Sequence, residues 1–134
     1  LGPFVRLFDG GFTLETVKQA EIALLVEGKD GFVLEGHSSM NQISRSPESL
    51  VAATIGEHHQ YPDGLVIYLG TMFAPVKDRD GAGKGFTHKL GDIVSISTPE
   101  LGTLTNRVNL STQCPPWTYG ASHLLRDLAK ADLL

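Results

Sequence analysis

The residues best placed to do chemistry lie at Gly70-Thr71-Met72-Phe73-Ala74-Pro75, which closes the apolar run Leu65-Val66-Ile67-Tyr68-Leu69. A glycine at the mouth of a buried apolar strand lets a ligand approach the backbone. A threonine beside it adds a hydroxyl and an N–H. Gly70 and Thr71 can therefore hold a carboxylate, or they can simply bend the chain at the strand end; on chemistry alone both readings stand.

Other patterns carry less. Gly81-Ala82-Gly83-Lys84-Gly85 resembles a phosphate loop, but Gly85 stands where the hydroxyl residue is required, no glycine precedes Gly83 by five positions, and no strand leads in. It reads as a surface loop, and the whole stretch from Val76 to Gly85 is too polar and glycine-rich to bury. His58 and His59 are adjacent rather than four apart, so a helix would point their rings in different directions. His37, His88 and His123 are scattered, and Cys114 has no partners for a metal site. Ser38-Ser39 lacks the glycine-flanked elbow of a serine hydrolase. No catalytic or metal-ligating residue is assigned within the chain.

The elements that must position Gly70 and Thr71 are mostly strands. Pro3 to Asp9 reads as a first strand ending at Gly10-Gly11. Ala20 to Glu27 and Phe32 to Glu35 flank Gly28-Lys29-Asp30-Gly31, a hairpin signal because Gly tolerates the positive φ of a tight turn. Ser46-Pro47-Glu48 begins a helix, with a capping serine, a proline whose missing N–H is harmless, and an acid at the positive end of the dipole. That helix is predicted to reach about His58 and to bury Leu50, Val51, Thr54 and Ile55. Leu65 to Leu69 is a strand buried on both faces. Asp92 to Ser97 and Leu101 to Val108 pair across Thr98-Pro99-Glu100, and Ala121 to Leu134 is helical, with Leu124, Leu125 and Leu128 inward. The sum is a β-rich α+β chain with two helices in a single domain, residues 1–134.

Composition narrows the function classes. With 134 residues, 41% of them apolar, there is room for one modest core. The 15 acidic and 11 basic residues give a net charge of -4 and are interspersed, so no basic stripe meets a nucleic acid. The longest apolar runs fall far short of the roughly 20 residues of a membrane span. The single cysteine and the absence of a leader pattern point to a reducing cytoplasm. The abrupt Leu1-Gly2-Pro3-Phe4 start, with neither initiator Met nor polar linker, reads as a piece of a longer protein.

Taken in order, these segments resemble the carboxy-terminal portion of the fumarylacetoacetate hydrolase family. Leu1-Gly2-Pro3-Phe4 is similar to the segment after that family's active-site lysine and glycine-rich loop. Ser39-Met40-Asn41-Gln42-Ile43-Ser44 stands where the family carries a Met-hydrophobic-Phe-Ser segment. His58 to Gly64, then Ile67-Tyr68-Leu69-Gly70-Thr71, match a helix, a turn and a strand ending in Gly-Thr. Gly91-Asp92-Ile93-Val94 and Gly102-Thr103-Leu104-Thr105-Asn106-Arg107-Val108 complete the order. The Gly-Thr-Met-Phe-Ala-Pro and Gly-Phe-Thr-His-Lys-Leu-Gly-Asp variants resemble a branch acting on 2-keto-3-deoxy sugar acids.

The resemblance implies mixed β-sheets rolled into a barrel-like core with two peripheral helices, commonly in a homodimer. It implies a divalent cation, Mg, Mn or Ca, that polarises the oxygens of a 2-oxo acid or β-diketo acid during C–C hydrolysis, dehydration or decarboxylation. The family's metal-binding carboxylates, His-Glu base and lysine belong to segments upstream of Leu1. Within the chain the substrate contacts carried over are Thr71 and the Gly70 backbone, and Pro62-Asp63-Gly64 reverses the family's usual Gly-Asp order. The alternative is a non-catalytic β-rich binding or dimerisation module sharing the fold.

Overall fold

Asp30-Gly31 turns the chain as the dipeptide predicts. In the computed structural model, which describes residues 1–70 and 73–134, β1 (Glu21–Glu27) and β2 (Val33–Ser39) form an antiparallel hairpin with Glu27 opposite Val33. Gly31 takes φ +80°, and Gly28 N–H donates to the Phe32 carbonyl at 2.8 Å. A second predicted hairpin pairs β3 (Ile93–Thr98) with β4 (Gly102–Arg107). The hairpins join through antiparallel β1 and β3, so the strand order is β2-β1-β3-β4. The chain is thus α+β, as expected. Among the described residues the sheet is wholly antiparallel and open rather than mixed and rolled: four strands leave β2 and β4 as edges.

Strand alternation gives this sheet two unlike faces. The register aligns Ile22, Leu24 and Val26 with Leu34, Val94, Ile96 and Leu104 on one face. Val26 and Leu34 there are fully buried. On the other face Glu21, Glu35, His37, Ser95, Ser97, Thr103 and Thr105 surround Ala23 and Leu25, and Ser95 and Thr105 hydroxyls meet at 2.9 Å. The buried apolar core is completed by Phe12 and Met40.

Among the described residues three α-helices accompany the sheet, one more than predicted. The extra one, α1 (Leu14–Lys18), is set by a reciprocal cap: Thr13 Oγ1 accepts from Thr16 N–H and Thr13 N–H donates to Thr16 Oγ1. α2 (Pro47–Thr54) starts where predicted, with Ser46 Oγ accepting from Ser49 N–H at 3.2 Å. It stops four residues before His58, because Ile55 turns extended and Gly56 follows. Its Leu50 and Thr54 are half-buried, whereas Val51 and Ile55 are exposed, so the predicted buried stripe does not form. α3 (Ala121–Lys130) ends early at a left-handed Asp132, with Leu133 N–H returning to the Leu128 carbonyl. Its Leu124 and Leu125 are exposed and Leu128 is half-buried.

Two predicted strands are absent among the described residues. Pro3 to Asp9 forms no strand, and Phe4 and Val5 are exposed. Arg6 tethers this segment, donating to the Glu100 carbonyl at 2.7 Å and lying 4.5 Å from the Phe12 ring centroid. Leu65 to Leu69 likewise forms no strand with the described residues; Leu65, Ile67 and Leu69 are half-buried while Val66 and Tyr68 are 66% and 73% exposed. Apolar β-prone residues become a strand only where a neighbour takes their backbone N–H and C=O groups.

Candidate functional site

Gly70 follows the 65–69 segment with φ +89°, a backbone conformation that a side chain disfavours. It helps to line a groove of about 260 Å³ on the apolar face, with Leu24, Gly36, His37, Ser38, Phe73 and Ile96. Phe73 lies against Gly36, where the missing side chain leaves room for the ring. Leu69, one residue earlier, opens onto a more polar groove of about 530 Å³ lined by Glu21, His37, Ser39, Asn41, Gln42 and Ser44. Thr71 lies outside the described residues. The Gly70 groove is lined by Ser38, whose hydroxyl falls on the apolar face, and by no Lys or Arg, so an anion there would be held by hydroxyl and backbone donors and an aromatic wall.

Beside it Glu21 links two side chains that sequence reading left apart. His37 Nε2 lies 2.9 Å from Glu21 Oε2, and Ser39 Oγ donates to Glu21 Oε1. Their juxtaposition follows from register, since Glu21 pairs with Ser39 and Ala23 with His37. Only the hairpin pairing could have revealed it.

The largest departure from the sequence reading is Arg79. The glycine-rich stretch from Val76 to Gly85 was expected to lie on the surface, yet Arg79 is 4% exposed. All five of its N–H donors are engaged. Nη1 and Nη2 fork onto Asp92 at 2.6 and 2.9 Å, Nη2 and Nε reach Asp30 at 2.9 and 3.2 Å, and Nη1 also donates to the Thr87 carbonyl at 3.2 Å. The guanidinium stacks 4.6 Å from the Phe32 ring centroid. Asp92, itself 1% exposed, also accepts from Lys89 N–H. Arg79 first, and then burial opposing it, leaves the Asp92 carboxyl held down to about 2. Asp30 is lowered as well, chiefly by Arg79 and then by Lys89, whose Nζ lies 3.0 Å away. The partners are 49 and 13 residues from Arg79 in sequence, a separation no local motif encodes.

The glycine-rich loop that follows Arg79 turns its N–H groups inward. Asp78 accepts from Gly83 and Gly85 N–H groups at 2.7 Å each, so the loop's own carboxylate occupies the donors an anion would need. Lys84 takes no part in this. Lys89 is spent on Asp30 and Asp80, and Glu100 accepts from the Thr98 hydroxyl. His58 and His59 fall beyond α2 and are exposed. His88 sits edge-on to Phe86, with ring centroids 4.8 Å apart. Among the described residues no three His, Cys, Asp or Glu side chains converge on a metal position, and no helix is long and apolar enough to cross a membrane. Comparison of the chain with models of known protein families, with curated proteins and with solved structures finds no match.

Proposed function

We propose that this chain is the carboxy-terminal part of a metal-dependent enzyme of the fumarylacetoacetate hydrolase type, acting on a small 2-oxo acid or β-diketo acid. The observation that carries the reading is Gly70: left-handed, beside Phe73 and the Gly36 floor, in a groove with neutral donors. In this reading Gly70 and Thr71 receive the substrate carboxylate, and the two hairpins form part of a rolled β core. A divalent cation, Mg, Mn or Ca, held by carboxylates upstream of Leu1, would polarise the keto oxygens when bound. The working unit is a cytoplasmic homodimer.

The test is a longer reading frame carrying this chain, assayed with acylpyruvate or a 2-keto-3-deoxy sugar acid and Mg. Turnover is expected there and not from the isolated 134 residues. Thr71→Val is expected to weaken 2-oxo acid binding by about 1–3 kcal/mol, the worth of a hydrogen bond to a charged group. Unchanged affinity would remove Thr71 from the site. A second reading, a non-catalytic binding or dimerisation module, is favoured by the exposure of Phe4, Tyr68 and Trp117; a longer frame lacking the carboxylates and lysine would select it.

A further inference from the structure

Residues 73–79 run back along the β1–β2 hairpin as a strap. Phe73 meets Gly36, Lys77 donates to the Val33 carbonyl and lies 5.2 Å from the Phe32 ring centroid, and Arg79 stacks on Phe32 and bonds Asp30. The hairpin contacts thus step from 36 down to 30 as the strap advances. Among the described residues no backbone hydrogen bond joins the strap to β2; side chains hold it. Phe73 is half-buried and Lys77 exposed, so Arg79 is the strap's one buried anchor among the described residues. Gly28 makes the anchor possible, since a Cβ there would collide with Arg79 Nη2.

We infer that Arg79 is a positioning residue: its fork between Asp30 and Asp92 latches the strap along the hairpin, and the latch keeps Phe73 over Gly36 and so shapes the groove at Gly70. The geometry requires a guanidinium. A lysine presents one point charge and cannot grip two carboxylates in fixed planes while stacking on an aromatic ring. This role holds whatever ligand the groove takes, and its failure would leave the carboxylate reading of Gly70 and Thr71 untouched.

The test uses the full 134-residue chain and a signature that general destabilisation does not move. The Phe73 ring should shift the Gly36 Hα resonances, while the slow amide exchange of Leu24 and Val26 reports the sheet. Arg79→Gln combined with Asp92→Asn removes both charges without stranding either. In that variant, and in Arg79→Lys, the Gly36 shift is expected to collapse towards its unstructured value with Val26 still protected. A Gly36 shift that persists in the folded double variant overturns the proposal. If the double variant does not fold, Asp30→Asn decides, because Asp30 is an exposed arm of the same fork. A reduced Gly36 shift there supports the latch, and an unchanged one overturns it.

Discussion

Phe73 packs so closely on Gly36 that a Cβ added to the glycine would stand 2.5–2.8 Å from three of its ring carbons. The bare backbone of β2 therefore sets where the aromatic wall of the groove can stand. Gly36→Ala is expected to push the ring away and cost about 1–3 kcal/mol, the usual range for overpacking. In Gly36→Ala/Phe73→Ala the two losses should sum to less than their separate values, because the clash vanishes with the ring. Urea unfolding of the four proteins measures this; strict additivity would show that the pair does not interact.

The two carboxylates on Arg79 should respond unequally. Asp92 is buried and takes both ends of the guanidinium, so Asp92→Asn is expected to destabilise by about 3 kcal/mol. Asp30→Asn should cost clearly less, since water reaches that side chain. Equal shifts in the thermal midpoints of the two variants would contradict the burial difference.

Acid should act through the same pair. Asp92 is held at about 2 in the folded protein, against an ordinary 3.8. A carboxyl lowered on folding stabilises the native state above its unfolded value and loses that contribution as pH falls through the folded one. The Asp92 contribution should stay constant from about pH 7 to 5 and decline between about pH 4 and 2. The drop over that lower window should be smaller in Asp92→Asn than in the wild type. An identical decline in both would assign acid sensitivity to other groups.

Ser46 offers a local test. Its Oγ accepts the Ser49 N–H at the start of α2, and Ser46→Ala should cost about 1 kcal/mol. Amide exchange should quicken at Leu50 and Val51 while Val26 in β1 is unaffected. Exchange that quickens equally in both elements would mean the helix is not a separate unit.

Both hairpins were legible because their information is local: Asp30-Gly31 and Pro99-Glu100 sit between short β-prone runs, and each strand pairs with its neighbour in sequence. The start of α2 was equally plain from Ser46-Pro47-Glu48. What misled was apolarity without a partner. Leu65 to Leu69 and Pro3 to Asp9 have strand composition, but no strand among the described residues receives them, and composition does not report pairing. The small α1 went unseen because its signal is the Thr13/Thr16 pair rather than a periodic stripe. Gly70 was singled out by its position after an apolar run. Arg79 was not, because in sequence it is one polar residue in a glycine-rich loop, and its burial depends on Asp30 and Asp92 arriving from elsewhere.

The strand order has a kinetic consequence. β1–β2 and β3–β4 are each closed by short turns, whereas the central seam sets Glu27 opposite Ile93. Local hairpins form fast and long closures slowly, so the seam between β1 and β3 should be the late event in assembly. Until it closes, Val26 and Val94 are two halves of a core waiting in separate hairpins, and the speed of refolding depends on how readily the intervening chain brings them together.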